Sequence, residues 1–250
     1  ANSPCSNATS TKTLNISRAM TAVAGSNLSM CASAGSVNII PGSSATNQTS
    51  ILWSSSGTGT FSNPTNISTC TYTPSAADVS AGSVVITLTA SNAGCSPVSS
   101  TKTLTIYSTP IVSAGPAMST CSTTGAVNIT AGSSASNQAS VLWTSSGTGT
   151  FANANSLTTC TYTPSAADIT AGSVTLTLTA FGYAPCGNTN STKTLTINAS
   201  VSVTGTTPGS RTGSGTVLLG ATASGGTLNW YASATGGSSL GTGTSFTTPV

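Results

Sequence analysis

The run Leu52-Trp53-Ser54-Ser55-Ser56-Gly57-Thr58-Gly59-Thr60-Phe61 returns as Leu142-Trp143-Thr144-Ser145-Ser146-Gly147-Thr148-Gly149-Thr150-Phe151. From Trp53 to Trp143 is an offset of 90 residues, and it holds from Cys31 and Cys121 through to Asp78 and Asp168. One inserted residue then makes it 91 at Cys95 and Cys186, and at Lys102 and Lys193. A period of that length is too long for a solenoid unit and matches a whole small domain with its own core. The chain must therefore fold as an array of modules.

Within each copy the residues alternate as a sheet with one buried face requires. Val174, Leu176, Leu178 and Ala180 point inward while Thr175, Thr177 and Thr179 point to water, and the equivalent strand starts at Val84. Thr103-Leu104-Thr105-Ile106 and Thr194-Leu195-Thr196-Ile197 alternate likewise. Almost nothing has helical period except Pro74-Ser75-Ala76-Ala77-Asp78 and its copy at Pro164–Asp168. There Ser75 caps a short helical turn, Asp78 returns the capping bond from three residues on, and Gly82 ends it. The expected fold is all-β: tandem immunoglobulin- or PKD-like sandwiches, as beads on a string, each cored by one Trp, one Tyr and the Val/Leu strand.

Residues 1–17 repeat the last loop and strand of a module, Cys5–Ile16 matching Cys95–Ile106. Two full copies follow, at 18–107 and 108–198. From 199 a different, cysteine-free β module begins, partial in extent, with Trp230, Tyr231 and Phe246 as its aromatic residues. With an incomplete first module and no signal peptide, the chain reads as a mature or internal segment.

Charged residues make up 3% of the 250 residues: five Lys and Arg, two Asp, no His, for a net charge of +3. An ordinary soluble protein carries about 25%. Hydroxyls and amides must cover the surface, which gives nucleic acid and anionic membrane little to bind. No apolar run reaches the roughly 20 residues of a membrane helix. Catalysis has no footing either. Without His or Glu, and with two Asp in separate modules, no base–nucleophile pair assembles, and one carboxylate per module makes neither a calcium cage nor an acid/base pair. No cofactor or metal is expected. Lys12, Lys102 and Lys193 share one position before the closing strand, where an exposed edge charge discourages strand addition. Trp53, Trp143 and Trp230 read as core, which leaves Tyr107, Phe181, Tyr183 and Tyr231 as the exposed candidates for stacking on sugars.

Seven cysteines sit in register with the repeat and show no metal-binding spacing, so disulfides in an extracellular setting are expected. Three per module is odd, and one must pair outside its own module or stay free. In a seven-stranded sandwich, Cys70 and Cys95 lie at the end nearest the preceding module and Cys31 at the end facing the next. Cys70–Cys95 and Cys160–Cys186 within modules are then one scheme. Cys31–Cys186, stapling one module to the next, is the other, with Cys121 at the position of Cys31 and Cys5 needing a partner before the chain begins.

The phrases Trp-Ser/Thr-Ser-Ser-Gly-Thr-Gly-Thr-Phe and Thr-Tyr-Thr-Pro-Ser-Ala-Ala-Asp resemble repeats of the giant surface adhesins of Bacteroidota, including gliding-motility adhesins exported by the type IX secretion system. The segment around Trp230 resembles the Ig-like domain found near the C-terminal end of such proteins. Cys70 and Cys160, where such repeats carry Thr or Ala, and Thr212, where the terminal module often has Cys, depart from that pattern. The resemblance implies a structural stalk or filament on the cell surface, serving attachment or gliding. Its partners would be neighbouring modules of the same long chain, other filaments or surface polysaccharide. Carbohydrate-binding modules, the spacer of a secreted enzyme and a strand-exchanged polymer are the other readings.

Overall fold

The computed structural model describes residues 8–14, 16 and 18–250. Cys5 and most of the tail-like segment 1–17 lie outside those residues. In the first repeat the chain forms β1 (Thr21–Val23), β2 (Leu28–Cys31), β3 (Val37–Asn38), β4 (Ser44–Thr46), β5 (Ser50–Ser55), β6 (Thr60–Phe61), β7 (Thr71–Thr73), α1 (Ala76–Ala81), β8 (Ser83–Asn92) and β9 (Cys95–Tyr107). Three sheets result, ordered β2-β9-β8-β5, β3-β7-β6 and β1-β4. β5, β8 and β9 are antiparallel, but β2 runs parallel to β9, with Leu28 beside Leu104 and Cys31 beside Tyr107. The first part of the domain thus adds to its last strand, as in immunoglobulin-like sandwiches.

The alternation on β8 and β9 decides what fills the space between sheets. Val84, Ile86, Leu88 and Ala90 from β8 and Leu104 and Ile106 from β9 meet Trp53, Tyr72, Ile39 and Cys70 in one buried cluster. Phe61 packs against Tyr72 with ring centroids 4.8 Å apart. Burying a large apolar side chain stabilises by roughly 1.5–3 kcal/mol, so these strands hold the module together without help from surface charge.

The second repeat gives the same series: β10 (Ile111–Ser113), β11 (Met118–Cys121), β12 (Val127–Asn128), β13 (Ser134–Ser136), β14 (Gln138–Ser145), β15 (Thr150–Ala152), β16 (Thr161–Thr163), α2 (Ala166–Ala171), β17 (Ser173–Gly182) and β18 (Thr189–Asn198). β11 again lies parallel to β18, with Met118 beside Leu195. Trp143, Tyr162, Leu176, Leu178 and Leu195 are fully buried, as their counterparts are. The inserted residue appears between the last two strands. In the first repeat Asn92 pairs with Cys95 across a tight turn, whereas β17 ends at Gly182 and β18 starts at Thr189.

The last module is formed by β19 (Val203–Thr207), β20 (Leu218–Ala223), β21 (Asn229–Trp230), β22 (Gly241–Thr242) and β23 (Ser245–Thr247), in sheets β19-β20-β23 and β21-β22. Trp230 stacks on Phe246 and its indole N–H donates to Gly243 O at 2.9 Å. By backbone proximity the chain divides into two compact units. One runs to Ser113 and takes in Ser133–Leu142 and Leu178–Ser191; the other is Ala114–Gly132, Trp143–Thr177 and Thr192–Val250. The loop that carries Cys186 therefore belongs to the same compact unit as the first repeat.

Candidate functional site

Three arrangements stand out, and the first is the disulfide. Cys31 ends β2 and Cys186 lies in the loop after β17, 155 residues later, with Cα atoms 4.9 Å apart. That spacing falls inside the 4.4–6.8 Å range of ordinary disulfides. Sheet register sets Tyr107 beside Cys31, and the Cys186 sulfur lies 3.5 Å from Tyr107 O. Tyr183, whose carbonyl accepts a hydrogen bond from Cys186 N at 2.7 Å, lays its ring on Tyr107, centroids 5.0 Å apart and 15° from parallel. One covalent tie and one ring stack thus join the first repeat to the loop of the second. Such aromatic pairs are worth about 0.5–1.5 kcal/mol beyond their buried area.

The within-module pairs are not formed: Cys70, Cys95, Cys121 and Cys160 are free thiols. Cys70 and Cys160 are fully buried in the sandwich cores, while Cys95 stands half-buried at the start of β9. Cys121, the counterpart of Cys31, is exposed. The tyrosine stack also changes the aromatic inventory, since Tyr107 and Tyr183 present faces to each other and Phe181 is half-buried. Of the sugar-stacking candidates, Tyr231 is the exposed ring outside this stack.

The second arrangement is the Asp78 knot. Ser75 and Asp78 form the expected capping box and Gly82 closes the helix in a left-handed conformation. Spacing alone did not show that the carboxylate also faces the loop after β5. Thr58 N donates to Oδ1 at 3.0 Å, while Gly59 N, Ser75 N and the Tyr72 hydroxyl donate to Oδ2 at 2.9, 2.9 and 2.7 Å. Burial pushes the carboxyl up, but these donors outweigh it and hold the pKa at about 2. Burial also pushes the Tyr72 hydroxyl up, with Asp78 adding to the shift, so it stays a donor. A Cβ on Gly57 would sit 2.1 Å from Asp78 Oδ1, and one on Gly59 2.5 Å from the Tyr72 hydroxyl. Those glycines exist to let the loop close on the carboxylate. Asp168, Tyr162, Thr148 and Gly149 repeat the knot. The two acidic residues are structural clasps.

The third arrangement corrects an expectation. Lys102 and Lys193 are buried, at 3% and 5% exposure, rather than edge charges. Lys102 shares parity with Leu104 and Ile106, so its side chain enters the core. Its Nζ donates to Ile39 O and lies 5.4 Å from the centre of the Trp53 ring; Lys193 does the same with Ile129 O and Trp143, at 5.1 Å. Burial pushes both amines down from their usual pKa. Lys12 is exposed.

Among the described residues no helix is long and apolar enough to cross a membrane, which leaves strand-built spans unaddressed. Residues 198–250 match the family described as an Ig-like domain, CHU_C associated. No curated protein sequence matches the chain. Solved structures with similar folds include Sidekick-1 immunoglobulin domains 1–5, 17% identical at a TM-score of 0.49, covering 84% of this chain and 46% of that one. Drosophila N-cadherin EC1–4 is 14% identical at 0.41, covering 73% and 50%. Titin domains z1z2 in complex with telethonin are 14% identical at 0.30, covering 74% and 100%. The chain spans less than half the length of the Sidekick-1 structure. The strand order and the Ig-like match make this an all-β chain of Ig-like domains.

Proposed function

We propose that this chain is a mechanical segment of an extracellular bacterial surface adhesin, a stalk or filament of the Bacteroidota gliding type that serves attachment or gliding. Its modules, at 18–107, 108–198 and from 199 on, carry out no reaction; they hold a distance and pass tension. The observation that carries the reading is the Cys31–Cys186 bond, which ties the first repeat covalently to a loop of the second. A pull arriving at Cys31 leaves at Cys186 through two sulfur atoms, so the strands between them are spared the load.

The remaining features agree. A disulfide persists in an oxidising, extracellular setting. Hydroxyl-covered faces with 3% charged residues let neighbouring filaments lie close without repulsion. The test is to delete the coding segment in the organism that makes the protein and to label intact cells with an antibody against the repeats. Surface labelling, with loss of attachment or gliding in the deletion, is the expected result. Label restricted to permeabilised cells, or unchanged attachment and gliding, overturns the proposal. A polysaccharide array bound tightly by the purified repeats would replace the stalk with a binding module.

A further inference from the structure

Each repeat carries one cysteine at either end of its closing strand. β9 is 13 residues long, so at about 3.4 Å per residue its ends lie roughly 40 Å apart. Cys95 begins that strand, paired with Asn92 across the turn, and Cys31 sits beside Tyr107, its last residue. The second repeat is built alike: Cys186 lies in the loop before β18, and Cys121 sits beside Asn198, the last residue of β18. Such a pair cannot close within its own repeat, because the Cα atoms of a disulfide lie within about 7 Å of each other. The bond that does form accordingly joins the far end of one repeat, Cys31, to the near end of another, Cys186. Among the described residues one near-end cysteine, Cys95, and one far-end cysteine, Cys121, are left free. The remaining free thiols, Cys70 and Cys160, are fully buried, and burial pushes their pKa up, to about 11 for Cys160, so they do not compete.

We propose that Cys121 of one copy and Cys95 of a second copy form the same kind of bond between chains, joining the molecule head to tail. The counterparts of both residues are bonded to each other in this structure, which is what marks these two thiols as halves of a joint. Both positions are open. Cys121 is exposed although Ser200 N donates to the adjacent Ser122 Oγ at 2.9 Å, so the chain that follows the repeat passes the thiol without covering it. A Cβ added to Gly94, beside Cys95, would meet nothing within 4 Å, and the same holds for Gly125 in the turn after Cys121. Two different patches meet in such a joint, so a linear assembly keeps one free thiol at each end and continues to grow. The partner of the stalk is then a second copy of itself. This rests on the Cys31–Cys186 bond, as the stalk reading does, but a joint that fails to form leaves surface labelling and attachment unaffected.

The bond needs an oxidant, and a low-molecular-weight disulfide such as oxidised glutathione serves. The Cys121 thiolate attacks it, and one glutathione thiolate leaves a mixed disulfide behind. The Cys95 thiolate of the next copy then attacks the Cys121 sulfur and displaces the second glutathione. Two protein S–H bonds are lost, one S–S bond forms, and the oxidant is reduced to two glutathione thiols. The joint differs from the internal one in a single respect. Asn198 stands where the first repeat has Tyr107, and the turn before Cys95 carries no tyrosine, so no ring stack supports the sulfur bond. Sulfur alone holds the copies together, and a reductant takes them apart.

The test is to incubate the purified 250-residue chain with oxidised glutathione, block the remaining thiols by alkylation and run denaturing, non-reducing gels. The expected result is a ladder in steps of 24.2 kDa that dithiothreitol collapses to monomer. Cys95→Ser and Cys121→Ser should each lose the whole ladder when incubated alone, whereas an equal mixture of the two should give a dimer and nothing larger. Thermolysin peptides of that dimer should contain Cys121 joined to Cys95. Wild-type chain that stays monomeric overturns the proposal. So does a dimer of Cys95→Ser alone, in which Cys121 has bonded to itself or to Cys5, a dimer of Cys121→Ser alone, or a mixture that forms none. An intact Cys31–Cys186 peptide shows that each variant keeps its fold, and the wild-type ladder with its Cys121–Cys95 peptide decides the matter without either variant.

Discussion

Stretching single molecules by their two ends gives the most direct reading of the staple. The disulfide separates residues 155 apart in sequence while holding their Cα atoms 4.9 Å apart. A fully extended chain spans about 3.5 Å per residue. With the bond intact, the loop it closes is hidden from the pull, and the 250 residues extend to about 330 Å. Reduction, or Cys31→Ser, exposes the loop and raises the limit to about 870 Å, a gain of about 540 Å. Force spectroscopy with and without dithiothreitol resolves a difference of that size. The same loop length implies a loss of about 5 kcal/mol in global unfolding free energy on reduction, by the chain-entropy relation. A contour length unchanged by reductant would refute the covalent route for force, and with it the argument that most of the first repeat is shielded.

Three further outcomes follow from the clasps. Asp78→Ala removes an acceptor for four donors and should destabilise the first repeat by about 3–5 kcal/mol in denaturant titration. Asp78→Asn should cost visibly less, because its carbonyl oxygen can keep the three donors now on Oδ2; equal losses would refute this account of the clasp. The two Asp residues have pKa values of about 2 against an ordinary 3.8, so the unfolded chain binds more protons between those values. Stability should hold above that window and fall as pH drops from about 4 to 2, and the double Asp78→Asn, Asp168→Asn variant should flatten the fall. Gly147→Ala forces a Cβ to 2.1 Å from Asp168 Oδ1 and should cost about 3 kcal/mol by thermal unfolding; a loss below about 1 kcal/mol would mean that the loop tolerates side chains.

Much of the fold was legible because its signals are local. Alternation along Val174–Ala180 told which side chains face inward, and Ser75 with Asp78 announced a capped turn, since both patterns need only a few adjacent residues. The clasp was half legible: the cap was there to read, but Thr58 and Gly59 stand some twenty residues upstream of Asp78 and meet it only across the sandwich. Lys102 had a signal that its charge obscured. It occupies the same inward parity as Leu104 and Ile106, and parity, not polarity, decided where its stem went.

The cysteines mark the boundary between the two kinds of information. Register with the repeat told that Cys31, Cys70, Cys95 and their counterparts are fixed parts of the module, and the odd number told that pairing within modules could not be complete. Which sulfurs meet depends on distances between strand ends and loops far apart in the chain. The longer loop after β17 and the Tyr107–Tyr183 stack bring Cys186 to Cys31, while core packing encloses Cys70 and Cys160 as free thiols. Sequence determined a sheet-forming, uncharged, repeating chain because side-chain alternation is a property of neighbours. Strand order narrowed the pairing to two schemes; only the tertiary structure chose Cys31–Cys186 between them, because a bond needs two atoms within reach.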